Sequence, residues 1–298
     1  MLRRADFLLL LFIASLWGAS YIFIRVTVPV LGPWGLVCAR MLLSGAALWL
    51  AARAMGRRWG EWHLWKHYVI VAFFSSFVAQ FLIAHAALTL NAPTLAILNC
   101  SAAMFSALIS VRVLGEPLRA GRAVGLLLGA AGVAMVVGFT PLRFTMGVTL
   151  AFAGTILAAL GYAIANVYAV RKLAGRPALE LAIVQSLFSG AMALPLGVPP
   201  LINAMPIDMT VLAALLALSL LCTAAANWLY YILLQRTSPT VSLSVTYLIP
   251  CFSLLWGLLF LGETISPLQY AGFAVVLVAL YLVTARRRAQ TAAPKPAA

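Results

Sequence analysis

The second half of this chain repeats the first half, and the repeat is the feature that most constrains how the chain can fold. Three landmarks recur in the same order at offsets of 145, 146 and 147 residues: Arg40–Gly45 as Gln185–Gly190, Ala92–Thr94 as Ser238–Thr240, and Gly115-Glu116 as Gly262-Glu263. Each half carries five long apolar segments. A unit with five membrane crossings must enter the bilayer the opposite way round when it is duplicated in tandem. The repeat therefore predicts two inverted halves, an architecture typical of alternating-access transporters.

The composition indicates a chain that lies in a bilayer. Hydrophobic residues make up 64% of the sequence and charged residues 9%, at a mean hydropathy of +1.06. A soluble protein of this composition would lack the polar surface it needs. With about 20 apolar residues needed to cross the membrane, spans are predicted at 7–27, 34–53, 68–88, 93–112, 121–139, 148–170, 179–197, 209–233, 240–261 and 267–284.

The predicted fold class is therefore all-α, a polytopic membrane protein with ten transmembrane helices. The expected units are a first five-helix repeat over 1–140, a second and inverted repeat over 147–285, and a basic, Pro- and Ala-rich cytoplasmic tail over 286–298. The apolar start is interpreted as span one rather than a cleaved signal peptide, because its removal would delete the partner of span six.

The net charge of +14 predicts an orientation rather than a nucleic-acid partner. With the amino terminus inside, all but three of the 20 Lys and Arg residues fall on the inner side, the exceptions being Arg25, Arg143 and Arg40. Both termini are therefore expected in the cytoplasm, and the basic loops should attract anionic membrane lipid. The linkers are too short for a soluble catalytic or nucleic-acid-binding domain.

The sequence lacks the motifs of known catalytic sites. It has no His-Glu-x-x-His helix and no phosphate-binding loop, and its six carboxylates fall at predicted span ends or in linkers. The four cysteines lie within spans at no metal-ligand spacing. We therefore expect a protein that is not an enzyme and that has neither a catalytic residue, a metal site nor a cofactor.

Polar and aromatic side chains within the predicted spans form the candidate substrate site, because a polar group in a bilayer needs a partner or a wet cavity. They are Trp17, Ser20, Tyr21, Gln80, His85, Asn99, Tyr162, Asn166, Asn227, Trp228, Tyr231, Ser244 and Tyr247. Spans five and ten are almost purely apolar and are expected outside the cavity. Another interpretation stays open: the amides could join helices by hydrogen bonds, and the aromatic rings could pack in the core or at the membrane interface.

Arg40 and Pro250 need a separate interpretation. Arg40 follows Pro33 by seven residues, about 10 Å along a helix. We expect its side chain to reach outward to the interface, since its repeat counterpart is the uncharged Gln185. Pro250 lies near the middle of span nine, where its ring should displace the carbonyl of Thr246 and create a hinge.

A stripe of Gly121, Gly125 and Gly129 on span five predicts close helix packing, either within a subunit or between two copies. The protein is accordingly expected to be a monomer or a homodimer.

The two five-span halves carry the segment Trp17–Ser20 in span one, and Gly115–Pro117 and Gly262–Thr264 after spans four and nine. With these features the chain resembles the drug/metabolite transporter superfamily and is identified as a ten-span member of its EamA type, over about residues 7 to 285. Within that family it is most similar to the YddG-type exporters. The resemblance implies a bacterial inner-membrane protein that exports aromatic and other neutral amino acids, and some aromatic cations. It implies a central site at Trp17, Gln80, His85, Asn99, Tyr162 and Trp228.

The predicted cavity contains no fixed anion, which suits a zwitterion with an apolar or aromatic side chain. Facilitated export of a small-molecule substrate is therefore the first hypothesis, and proton coupling through His85 is the second. A multidrug efflux protein for aromatic or quaternary cations could use the same cavity through cation–π contacts. A sugar-phosphate exchanger would need cations inside the cavity, and a channel would not show saturable counterflow.

Overall fold

The computed structural model describes residues 3–57, 62–90, 95, 98–115, 117–137, 145–261 and 266–284. Within these ranges the regular structure is helical, and no strand occurs. The helices are α1 (Arg4–Ala54), α2 (Trp65–Ala86), α3 (Ser101–Val113), α4 (Ala120–Val137), α5 (Met146–Lys172), α6 (Ala178–Asn203), α7 (Met209–Arg236), α8 (Pro239–Leu243), α9 (Val245–Leu261) and α10 (Pro267–Thr284). Among the described residues, seven helical segments are long and apolar enough to cross a membrane.

The helix α1 folds back on itself at a kink. Its 51 residues would extend about 76 Å if straight, against a bilayer core of about 30 Å. At Gly32 the backbone leaves the helical region (φ 66°, ψ 167°), a conformation that glycine adopts at low cost. Trp17, before the kink, packs on Tyr230 of α7, and Arg40, after the kink, contacts Thr223 of the same helix α7. The two arms of α1 therefore run in opposite directions.

The second arm of α1 packs against α6 through reciprocal contacts. A Cβ added to Gly45 would lie 2.5 Å from Cδ2 of Leu187, and one added to Gly190 would lie 2.7 Å from Cδ2 of Leu42. The pairs 42/187 and 45/190 are related by the same offset of 145 residues. Gly45 thus makes room for Leu187, and Gly190 makes room for Leu42, the corresponding leucine of the first half.

The helices α4 and α10 pack in the same reciprocal manner. A Cβ on Gly125 would lie 3.0 Å from the carbonyl oxygen of Ala279, and one on Gly272 would lie 2.8 Å from that of Gly132. Gly125 corresponds to Gly272, and Gly132 corresponds to Ala279, each at an offset of 147 residues. The glycine stripe of span five is therefore used for packing within the chain at Gly125, whereas a Cβ added to Gly121 would meet no atom within 4 Å.

Two π-helical segments occupy corresponding places in α2 and α7. They are Phe73–Phe77 and Leu220–Ala225, with starting residues 147 positions apart. A π segment adds one residue to a helical turn and redirects the side chains that follow it. Gln185 donates to Ser76 in the first segment, and Arg40 donates to Thr223 in the second.

The predicted spans overlap the helices of the structure. Where the end of a predicted span lies within the described residues, the largest difference is at α6, which continues six residues past the predicted end at 197, through Pro199 and Pro200. The predicted start of span four at 93, the glycine–glutamate motifs at Glu116 and at 262–264, and the tail over 286–298 lie outside the described residues.

Candidate substrate-binding site

A central cavity lies between both arms of α1 and the helices α2, α5, α6, α7, α8 and α9. It contains about 890 Å³ of empty space, counting the part that opens to solvent. Nine of the residues proposed from the sequence line it: Trp17, Ser20, Tyr21, Gln80, Asn99, Tyr162, Asn166, Asn227 and Tyr231. Among the described residues, neither α4 nor α10 contributes to the lining.

One wall of the cavity is aromatic. The rings of Trp17 and Tyr230 lie 5.2 Å apart between centroids, and those of Tyr230 and Tyr231 lie 6.2 Å apart. Tyr230 donates its hydroxyl to Oδ1 of Asn166 at 3.0 Å, and Asn166 donates Nδ2 to the carbonyl of Tyr162 at 2.7 Å. The first of these hydrogen bonds holds the ring of Tyr230 in place, and together with its aromatic neighbours this ring can contact an apolar or aromatic group.

Asn99 brings an unpaired acceptor to the site. Its Oδ1 atom is buried and has no hydrogen-bond donor among the described residues. A buried acceptor without a donor is costly, so its presence beside a cavity indicates that a ligand or water supplies the donor.

His85 and Trp228 lie outside the cavity. His85 is near the C-terminal end of α2 with an exposed side chain, stacked on Phe81 at 5.7 Å between ring centroids. Trp228 is half-buried and packs against the main hydrophobic core. The structure therefore brings neither residue together with the nine that line the cavity.

Ser244, Tyr247 and Pro250 are also absent from the lining. Ser244 is buried and donates to the carbonyl of Val241 at 2.6 Å, and the short break between α8 and α9 falls at this residue. Tyr247 is fully buried and donates its hydroxyl to the carbonyl of Leu126 at 3.2 Å. Pro250 lies inside α9, six residues after the break.

Arg40 lines the cavity, so the expectation that it reaches outward to the interface is wrong. Its side chain is 6% exposed, with Nε donating to Oγ1 of Thr223 at 2.5 Å and Nη1 donating to Oε1 of Gln80 at 3.3 Å. The kink at Gly32 turns this arm of α1 so that Arg40 faces α7 and α2. A partner on each of two neighbouring helices holds the guanidinium inside the bundle.

Several lining residues were not proposed from the sequence: Ile24, Arg40, Ser75, Ile83, Ala165, Gln185, Tyr230, Leu243, Thr246 and Ile249. One signal was present for Arg40 and Gln185, since both halves carry a long polar side chain at this repeat position. Tyr230 follows Asn227 by three residues and so shares its helical face. For the apolar lining residues, no feature of the sequence indicates that they face the cavity.

The model of the EamA-like transporter family matches residues 5–138 and 145–285. The chain belongs to this family. It is a multi-pass membrane protein and a transporter of the drug/metabolite transporter superfamily.

Individual relatives of this EamA-like transporter extend over nearly the whole chain. A probable amino-acid metabolite efflux pump of Escherichia coli (strain K12) is 25% identical, covering 94% of this chain and 95% of the relative. An uncharacterized transporter of Archaeoglobus fulgidus is 28% identical, covering 94% of this chain and 97% of the relative. A WAT1-related chloroplastic protein of Arabidopsis thaliana is 28% identical over 90% of this chain, which spans 66% of the plant protein's length.

A solved crystal structure has the same fold. It aligns with the EamA-like transporter at a TM-score of 0.77 and 19% identity, covering 95% of this chain and 97% of the other.

The charge of the transporter's cavity is unbalanced. Arg40 is a cation, and the described lining residues include no Asp or Glu. Among the described residues, no three His, Cys, Asp or Glu side chains are grouped so as to hold a metal ion. The chemistry that this lining offers is aromatic contact, hydrogen bonding by amides and hydroxyls, and one positive charge.

Proposed function

We propose that the protein exports neutral amino acids, above all aromatic ones, by alternating access. The observation that carries the proposal is the central cavity, in which aromatic rings stand beside amide groups without a carboxylate among the described lining residues. Rings contact an apolar side chain, and amides form hydrogen bonds with a zwitterionic backbone. The probable amino-acid metabolite efflux pump among the relatives supports the same substrate class.

The architecture that we propose is two inverted five-helix repeats, over 1–140 and 147–285, with ten crossings. The reciprocal glycine contacts of α1 with α6 and of α4 with α10 support a two-fold relation between the halves. The two π segments support it too. Substrate sites of such transporters lie near mid-membrane at the repeat interface, where this cavity is lined by both halves.

We further propose a bacterial inner-membrane location with both termini cytoplasmic, which the distribution of Lys and Arg supports. Transport is facilitative in this proposal, because His85, the side chain considered for proton coupling, is exposed and outside the cavity. The substrate then moves outward down its own gradient.

The aromatic wall favours a second candidate, efflux of aromatic or quaternary cations through cation–π contacts with Trp17 and Tyr230. The positive charge of Arg40 in the same cavity opposes a cationic substrate. Amino-acid export therefore ranks first.

Uptake of labelled phenylalanine and threonine into liposomes that contain the purified protein tests the proposal. We expect saturable uptake that an imposed pH gradient does not change. Trp17→Ala should lower it, because this ring lines the cavity, while His85→Ala should leave it unchanged. A folded protein that transports neither amino acid would contradict the proposal, and uptake of an aromatic cation instead would establish the second candidate.

A further inference from the structure

Arg40 is a charged residue within a membrane-spanning helix, and its side chain is only 6% exposed. An ionisable side chain at membrane depth is expensive and marks a functional site by default. A buried cation is normally compensated by a carboxylate. The hydrogen-bond partners of Arg40 are instead the neutral oxygens of Thr223 and Gln80.

A carboxylate could balance this charge, but the carboxylates among the described residues have other partners and lie outside the cavity lining. Asp6 pairs with Arg236 at 3.4 Å, Glu180 accepts from Tyr68, and Asp208 caps the first turn of α7. The cavity lining contains none of them. Within the described part of the chain, Arg40 thus has no counter-anion, although it lines a cavity large enough to admit one.

The guanidinium is held in a fixed position rather than left mobile. Thr223, which accepts from Nε, donates its own hydroxyl to the carbonyl of Leu218, five residues back along α7. Gln80, which accepts from Nη1, follows the π segment of α2. Both neighbours orient the planar fork, and these bonds use two of its five N–H donors.

We propose that Arg40 binds the carboxylate of the transported substrate, and that this carboxylate is the group every substrate must carry. The proposal rests on the proposed function, since it takes the cavity as the transport site. A guanidinium fork matches a carboxylate with two parallel hydrogen bonds, which gives both charge and geometry. The substrate class is therefore aromatic and other apolar monocarboxylates.

The α-ammonium is the dispensable group of the substrate. The described lining offers it neutral acceptors only, such as Oδ1 of Asn99, and no carboxylate. Hydrogen bonds to a charged donor from neutral acceptors stabilise less than an ion pair in a site of low dielectric. Aromatic acids without an amino group should therefore bind nearly as well as the amino acid itself.

Three probes with the same phenyl ring separate the two charges: phenylalanine carries both, 3-phenylpropionate only the carboxylate, and phenethylamine only the ammonium. Each is tested as an inhibitor of labelled phenylalanine counterflow in liposomes. Each is also tested for its effect on the unfolding temperature of the purified protein in detergent. The second readout does not require phenylalanine to be transported.

In the unmodified protein, we expect 3-phenylpropionate to act within about threefold of phenylalanine and phenethylamine to be at least tenfold weaker, about 1.4 kcal/mol. Arg40→Gln, which copies the Gln185 counterpart, should weaken both carboxylates at least tenfold and leave phenethylamine unchanged. Arg40→Lys keeps the charge without the planar fork, so its affinity for the carboxylates should lie between those of the unmodified protein and Arg40→Gln. The matched control is Arg25→Gln, which removes the same charge from an exposed position on α1 and should match the unmodified protein.

The proposal is overturned if phenethylamine acts as strongly as 3-phenylpropionate on the unmodified protein, or if folded Arg40→Gln keeps full affinity for the carboxylates. If Arg40→Gln does not fold, the same three probes on the unmodified protein and on Arg40→Lys test whether Arg40 binds the carboxylate. Stabilisation by 3-phenylpropionate that depends on Arg40, in a protein that does not move phenylalanine, would support the carboxylate site and reject amino-acid export. The failures of the two proposals are therefore distinguishable.

Discussion

The thiol of Cys100 donates a hydrogen bond to the backbone carbonyl of Thr246, with an S···O distance of 3.5 Å. This carbonyl is the one that Pro250, four residues further along α9, leaves without its helical N–H donor. The two residues lie in different halves of the chain, 146 positions apart. A side chain from the first half thus satisfies the backbone group that the proline frees in the second.

Replacing Pro250 by Ala should slow transport without lowering the amount of protein in the membrane. Alanine restores the N–H donor to Thr246 and makes α9 stiffer beside the cavity that Thr246 lines. The maximal rate of phenylalanine counterflow measures the effect. Pro239→Ala is the control, because Pro239 begins α8, where a missing N–H costs no helical bond. An unchanged rate in Pro250→Ala would remove the hinge hypothesis.

Gly272→Ala should destabilise the protein by about 1–3 kcal/mol. Its Cβ would lie 2.6 Å from the backbone N of Val136 and 2.8 Å from the carbonyl oxygen of Gly132, and backbone atoms cannot rotate away. Thermal unfolding in detergent gives the measurement. Gly121→Ala, on the partner helix α4, makes the same chemical change in open space, and it should be neutral or slightly stabilising. Equal unfolding temperatures for the two variants would contradict the close packing of α4 and α10.

Tyr247→Phe should reduce stability by about 1 kcal/mol, because it removes the buried hydrogen bond to the carbonyl of Leu126. The KM for phenylalanine should not change, since Tyr247 is buried and does not belong to the cavity lining. Tyr231→Phe alters a lining residue and serves as the comparison. A raised KM in Tyr247→Phe would place this residue back in the substrate site.

Asn99→Asp should shift selectivity from neutral amino acids toward aromatic cations. The variant adds an anion to a cavity whose described lining has none, and an anion in the same cavity as Arg40 would compete with a substrate carboxylate. Inhibition of phenylalanine uptake by a quaternary aromatic cation should improve at least tenfold. Asn99→Leu, which removes the unpaired acceptor without adding charge, is the control. Equal inhibition in both variants would show that charge at this position does not set selectivity.

Asp208 caps the start of α7, and its titration should make the stability of the folded protein depend on pH. Its Oδ2 accepts the backbone N–H of Thr210 at 2.9 Å, and this hydrogen bond lowers the pKa of the carboxyl below its ordinary value. A carboxyl with a lowered pKa in the folded state stabilises the protein above the ordinary value of about 4, and the contribution is lost as pH falls through the lowered value.

The difference in unfolding temperature between the unmodified protein and Asp208→Ala should therefore be largest near neutral pH, and it should shrink as the pH falls below about 4 and through the lowered pKa of the carboxyl. Asp208→Asn keeps a capping side chain that does not titrate, so its difference from Asp208→Ala should not fall over this range. A difference that is constant with pH for the unmodified protein would contradict the capping role.

The sequence by itself determined the helices and the correspondence between the two halves. An apolar run of about 20 residues satisfies its backbone hydrogen bonds within itself when it forms a helix, so predicted spans such as 267–284 agree with helices such as Pro267–Thr284. The repeat landmark at Gly45 and Gly190 also corresponds to a contact in the structure, since each glycine packs against the leucine that lies three residues before the other glycine.

Only the tertiary structure decided which side chains face the cavity. In a soluble helix the buried face is apolar and the exposed face polar, but a membrane helix is apolar toward both lipid and neighbouring helices, so periodicity does not reveal its inner face. Arg40 turned inward because Gly32 kinks α1 and Thr223 and Gln80 accept from it. His85 stayed exposed because it lies at the end of α2. The repeat fixed where the polar residues lie along the chain, while the packing of helices from both halves decided which of them share one cavity.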